Sequence, residues 1–184
     1  MLLAPDLPHF LDYLLARLYK RCPYMIPEYH DEAHLSVEER KKLQHYERNE
    51  GGFQSDDQYI LYQTSYIYFF AALVQMKPDF GEPENMYGIK YGWMWLARIS
   101  NAPPRPITAN LMEAFLHVAA QALLQAYPRQ ARKLLKLIYD QILPKIPRTR
   151  ENTSSLAELQ RKLEEFFKTG VYPKLPERME DKPT

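Results

Sequence analysis

Apolar positions recur three and four residues apart along most of the chain, and alternating runs never persist beyond a few residues. That is the periodicity of helices rather than strands. Leu7, Phe10, Leu11, Leu14, Leu15 and Leu18 mark a first helix, with Asp6 as N-cap, Pro8 in its first turn and Pro23 at its end. Ser36 followed by Glu39 reads as a capping box for a short polar helix near 37–46, broken by Gly51-Gly52. A third helix spans about 56–76, opened by Asp56 or Asp57, before a loop holding Pro78, Gly81 and Pro83. The fourth runs from Tyr91 to about Ser100, and Pro103, Pro104 and Pro106 form a stiff connector. Thr108 caps a long apolar helix to Ala126, and Pro128 starts the next, which ends before Pro144. Ser155 with Glu158 suggests a second capping box, and Gly170 suits the residue just past a helix end.

The pattern therefore predicts seven helices with short loops. Leu111, Met112, Phe115, Leu116, Val118, Leu123 and Leu124 leave the fifth helix apolar around much of its circumference, so it should be central. Antiparallel pairs stacked as an α-helical solenoid are the expected all-α architecture. No repeat of fixed period is visible, so an irregular helical bundle is the alternative. Fifteen prolines against six glycines fit helices punctuated at their ends better than a glycine-turned β fold. With 184 residues, 46% hydrophobic and 26% charged, the chain can bury one sizeable core and is not a disordered tail. Residues 58–76 carry no charge and are long enough to raise the question of a membrane span. Gln58, Gln63, Thr64, Ser65 and Gln75 would be unsatisfied in lipid, so a buried helix in water is expected. Met1 to Asp6 has neither the basic start nor the apolar stretch of a secretory signal.

Charge changes the picture once it is divided. The formal total is +1, which argues against binding nucleic acid by bulk charge. Yet residues 31–57 hold eight acids against four bases, and 128–150 hold seven bases against one acid. Opposed blocks of this kind can steer a charged partner locally.

Chemistry-bearing residues are sparse. His30 and His34 stand four apart, but Asp31 and Ala33 occupy the places where either zinc-protease pattern needs glutamate, and Pro27 lies close upstream. A metalloenzyme built on them is the weakest of three functional readings. Cys22 rules out a disulfide framework by its solitude, has no local histidine partner and sits where a helix dipole disfavours a thiolate. His117, in the most apolar helix, reads as a hydrogen-bonded core residue. There is no phosphate loop, nucleophile elbow or kinase signature, hence no catalytic constellation and no expected enzyme activity.

Basic clusters are better founded. Arg17, Lys20 and Arg21 share one face of the first helix, where guanidinium forks and an ammonium can converge on a polyanion. Cations in a last turn also complement the dipole, a purely structural alternative. Arg129, Arg132, Lys133 and Lys136 form a second such face, whose plain reading is a solvated surface over Leu134, Leu135, Leu137 and Ile138.

Three strings, Ala16-Arg17-Leu18-Tyr19-Lys20-Arg21-Cys22-Pro23-Tyr24, Tyr91-Gly92-Trp93-Met94-Trp95-Leu96-Ala97-Arg98-Ile99, and Gln125-Ala126-Tyr127 followed by Gln130 to Ile138, together resemble the C-terminal domain of the GLE-one mRNA export factors. The likeness runs from about residue 7 to 176. It implies a HEAT-like, MIF4G-like domain over 1–176, incomplete on its N-terminal side, with 177–184 a flexible tail. It implies a non-enzymatic activator of a DEAD-box RNA helicase at the cytoplasmic face of the nuclear pore, which grips both helicase lobes. Inositol hexakisphosphate would bridge the two through residues matching Arg17, Lys20 and Arg21. A second helicase contact would fall at Ser154 and Ala157, and a phenylalanine-glycine nucleoporin is a further implied partner. A helical scaffold that binds the nucleoporin peptide without activating a helicase is the alternative. Trp93 and Trp95 diverge by about 200° on a helix, so either both serve the core or one packs inward while the other faces a partner.

Overall fold

A computed structural model describes residues 10–27, 32, 34–76 and 87–173. The predicted cap Asp6 and first-turn Pro8, the loop about Pro78, Gly81 and Pro83, His30 and the 177–184 tail lie outside them. Among the described residues are seven α-helices: α1 Phe10–Arg21, α2 Val37–Leu43, α3 Asp56–Leu73, α4 Ile89–Asn101, α5 Thr108–Ala126, α6 Pro128–Leu137 and α7 Thr153–Thr169. The all-α expectation holds. A two-residue hairpin, β1 Arg48–Asn49 against β2 Gly52–Phe53, is the one addition, closing on Gly51 and on Gly52 at φ 118°.

Helix α5 is central, as its composition required: α3, α4, α6 and α7 all pack on it. Leu111, Met112, Ala114, Phe115 and Leu116 are fully buried there. Gly92 explains itself at the α4–α5 crossing. A Cβ at that position would stand 3.1 Å from the Phe115 ring and 3.2 Å from Val74, so only glycine lets the helices approach this closely. Trp95, two residues beyond Trp93 and three beyond Gly92, fills the neighbouring space. Its ring lies 4.6 Å from that of Phe115, and its indole N–H donates to the Tyr24 carbonyl at 2.8 Å. That bond fixes the turn Pro23–Met25, which follows α1, onto the core. Tyr59 extends the anchor by stacking on Tyr46 at 3.7 Å, donating its hydroxyl proton to the Gln44 carbonyl and accepting from the Tyr24 hydroxyl.

Helix ends correct several expectations. Ser36 and Glu39 do form the capping box of α2. Helix α3 is capped by Ser55, whose oxygen accepts from the Gln58 N–H, so Asp56 and Asp57 occupy the first turn rather than the cap. Thr108 lies inside α5, its hydroxyl accepting from the Arg105 N–H one turn back. The Ser155–Glu158 box does not form. Asn152 takes the cap position, Ser155 accepts instead from Asn110 Nδ2, and Glu158 turns to Arg161. Gly170 ends α7 in the left-handed region at φ 77°, as expected. Helix α6 runs on into a π turn, Ile138–Ile142, and a short tight turn, Leu143–Lys145. No described helix is long and apolar enough to cross a membrane. Helix α3 is less buried than its uncharged sequence suggests: Leu61 is 62% exposed and Phe69 45% exposed on the face away from α5.

Candidate functional site

The last two turns of α1 carry Arg17, Lys20 and Arg21, all exposed. Leu15, Leu18 and Cys22 on the opposite side are buried and set that orientation. Arg17 lies over the Tyr13 ring, 5.7 Å from its centre. Arg21 is engaged. Its Nη1 meets Glu47 Oε1 at 2.7 Å, and Glu47 comes from the segment just before the hairpin. Lys20 and Arg21 form one wall of a small pocket whose other side holds His45, Glu47, Gln54 and Gln63. Gln63 donates to the Arg21 carbonyl, one of the acceptors left over at the helix end. Gln54 and Gln63 are almost wholly buried, and the Oε1 of each has no partner among the described residues.

Several acids of the 31–57 block are paired with cations, although Glu38, Glu47 and Asp56 stay about half exposed. Glu38 pairs with Lys42 and Arg48, Asp56 with Lys41, and Glu32 with Arg105 at 2.6 Å in a half-buried bridge. The basic block is treated differently. In α6, Arg132 lies 5.1 Å over the Phe166 ring and Lys136 pairs with Asp140, while Arg129, Lys133, Lys145 and Arg148 have no carboxylate partner among the described residues.

Ser154 and Ala157 are exposed one turn apart at the start of α7. Two asparagines that the sequence reading passed over hold that start in place. Asn152 is fully buried: its Nδ2 donates to the carbonyls of Pro106 and Pro147 at 2.8 Å each, and its Oδ1 accepts from the Thr149 N–H at 3.0 Å. Asn110 at the start of α5 donates to the Glu151 carbonyl and to Ser155 Oγ. Asparagine directly before a helix is a visible signal, but here the serine box three residues on was the more familiar pattern. Further along α7, Lys162 is buried between Glu113 Oε1 at 2.8 Å and His117 Nδ1 at 2.5 Å. His117 is therefore hydrogen-bonded as expected, at the α5–α7 seam. Glu158, bonded by Arg161 and near Lys162, has its carboxyl pushed down to about 2.

The structure does not gather the triplet and the Ser154–Ala157 edge into one cleft. Helix α7 packs on α5, whereas α1 continues into the 3-10 turn and is tied to α3 through Gln63. A groove of about 530 Å³ adjoins the α7 edge, with Leu143, Pro144, Leu156 and Ala157 in its wall. Neither tryptophan is open to a partner: Trp95 is in the core, and Trp93 is half-buried against Tyr127 at 5.4 Å. Cys22 is fully buried, and loss of solvation raises its thiol to about 12. His34 is exposed in a turn, and no cluster of three potential metal ligands occurs among the described residues.

Seven helices packed about α5, with a two-residue-stranded hairpin, define an all-α helical domain. Residues 1–139 match the family model described as GLE1-like protein, and the chain belongs to that family. It is 33% identical over 142 residues to the mRNA export factor GLE1 of Danio rerio, covering 75% of this chain and 20% of that protein. It is 29% identical over 171 residues to the GLE1 export factor of Arabidopsis thaliana, covering 92% and 25% respectively. The chain thus spans only a fifth to a quarter of the length of these relatives. Its fold is similar to a solved complex of the Saccharomyces cerevisiae Dbp5 C-terminal domain bound to Gle1 and IP6. The TM-score is 0.75 at 24% identity, over 93% of this chain and 59% of the solved one.

Proposed function

We propose that this chain is the helicase-contacting domain of an mRNA export factor. It binds a DEAD-box RNA helicase at the cytoplasmic face of the nuclear pore, with inositol hexakisphosphate as tether, and is not itself an enzyme. The observation that carries the reading is the family match over residues 1–139, which contains the exposed triplet Arg17, Lys20 and Arg21. Those cations supply the phosphate grip, and Ser154 and Ala157 supply the protein contact. A solved complex of similar fold, in which yeast Gle1 is bound to Dbp5 and IP6, supports the choice of partner and ligand.

Activation follows from differential affinity. A domain that grips both helicase lobes favours their partly open arrangement and so weakens hold on RNA and nucleotide; a domain that binds one lobe alone shifts nothing. A phenylalanine-glycine nucleoporin is the second partner in this reading.

Calorimetry of the chain against the helicase, with and without inositol hexakisphosphate, tests it. The expected result is binding strengthened by the polyphosphate, lost with Ser154→Arg, and made insensitive to polyphosphate by Arg17→Ala with Lys20→Ala. Nucleoporin peptide bound while the helicase gives no heat would overturn it in favour of a passive scaffold.

A further inference from the structure

We propose that Thr153, the first residue of α7, is a phosphorylation site for arginine-directed protein kinases, and that the phosphate it gains pairs with Arg148 and Arg150 and closes the start of the helix. The site is independent of the partners proposed above.

The string Arg148-Thr149-Arg150-Glu151-Asn152-Thr153 sets arginines three and five residues before a hydroxyl. A kinase with acidic subsites holds two such guanidinium groups by charge-assisted, bidentate contacts, so their spacing decides which hydroxyl reaches the transferred phosphoryl. Thr153 is the only serine or threonine of the chain with arginine at both places. Thr108 shows what the fold withholds. Arg105 stands three residues before it, but Thr108 is 1% exposed and its hydroxyl accepts from the Arg105 N–H at 2.9 Å. Thr153, Arg148 and Arg150 are all exposed, and neither arginine has a carboxylate partner among the described residues.

The backbone here can be drawn out. Residues 147–149 have no regular structure, and Thr153 lies in the first turn of α7, the part of a helix that opens at least cost. What resists is the exposed bond from Thr153 Oγ1 to the Thr149 carbonyl at 2.7 Å, together with the three bonds of the Asn152 side chain. The phosphoryl donor is ATP. Thr153 Oγ1 bonds to the γ-phosphorus while the bond from that phosphorus to the β–γ bridging oxygen breaks. The hydroxyl proton passes to the catalytic aspartate of the kinase, and ADP leaves with the electron pair.

The product fits its surroundings better than the free hydroxyl does. A phosphothreonine carries about −1.5 to −2 charges at pH 7 and accepts hydrogen bonds through three oxygens. It no longer donates to the Thr149 carbonyl, but the N–H groups of the first turn are open to it. The Asn152 side chain makes no cap bond to α7, and the first turn holds no acid. Arg148 and Arg150 outweigh Glu151, the one acid between residues 148 and 153.

The experiment incubates the folded chain with ATP and protein kinase B, a kinase selective for arginine at these two places, and maps the phosphate by mass spectrometry. Thr153→Val, Arg148→Gln with Arg150→Gln, and a peptide of residues 145–157 are run beside it. The replaced side chains are exposed, so unfolding temperatures should agree. The expected result is one phosphate on Thr153, absent from Thr153→Val, with a rate lowered roughly tenfold or more when both arginines are replaced. Hydrogen exchange of the Ser154 and Ser155 amides should then slow by roughly threefold or more in the phosphorylated chain. Phosphate on Ser154 or Ser155 instead, or a rate indifferent to the arginines, would overturn the site. So would a peptide that is modified while the folded chain is not. Exchange that is unchanged or faster after phosphorylation would overturn the closing of α7.

Discussion

In the proposed function, a phosphate group would have to compete with Glu47 for the Arg21 guanidinium. With its carboxylate 2.7 Å from Arg21, Glu47 occupies the fork that a polyphosphate would use. An exposed pair of this kind contributes about 0–1 kcal/mol to folding, so Glu47→Gln should barely move the unfolding temperature. It should tighten binding of inositol hexakisphosphate several-fold by calorimetry; unchanged affinity would remove Arg21 from the phosphate grip. Asn152 is the opposite case, a buried amide whose three bonds all go to backbone. Asn152→Ala removes all three bonds, but Pro106 and Pro147 are exposed and water can reach their carbonyls, so urea unfolding should show a loss of about 1–3 kcal/mol. Cys22 also has a plain signature. With its thiol raised to about 12, it should resist alkylation at pH 8 in the native chain and react readily once the chain is unfolded.

At the scale of elements, Gly92 is the sharpest test of packing. Gly92→Ala drives a methyl against Phe115 and Val74 at the α4–α5 crossing, where overpacking costs about 1–3 kcal/mol, to be read from denaturant midpoints. Helix α7 carries a pH test. Glu158 has a depressed carboxyl, so its pairing with Arg161 contributes fully above the ordinary carboxylate range, near 4.5, and is lost as pH falls towards 2. The pair is largely solvent-exposed, so the contribution is under about 1 kcal/mol, and Glu158→Gln should flatten that part of the stability profile. The helices were legible because local periodicity and punctuation specify them. Ser36–Glu39, Pro128 and Gly170 behave as their types suggest. What stayed hidden depends on contacts or backbone geometry without a local signature. Asn152 precedes α7 without capping it through its side chain, which instead bonds Pro106, 46 residues away, and the loop before the helix. The hairpin strands are too short to alternate, and a π turn changes the helical register without changing its composition.

For the whole molecule, the near-zero net charge conceals an asymmetry that only folding displays. The acidic segment is matched by Lys41, Lys42, Arg48, Arg105 and Arg21, while the basic segment around α6 and Arg148 keeps open positive charge. The triplet on α1 and the start of α7 were both legible as surfaces, the first from residue spacing and the second from family likeness. Their separation on different packing layers was not, because it depends on how α3, α5 and α7 stack. In the proposed function, that separation would let the two surfaces meet different parts of a partner. The most direct measurement is ATP turnover by the DEAD-box helicase at saturating RNA, with and without saturating chain and inositol hexakisphosphate. The account predicts faster turnover, abolished by Ser154→Arg. Turnover that stays unchanged while the chain is bound would contradict it.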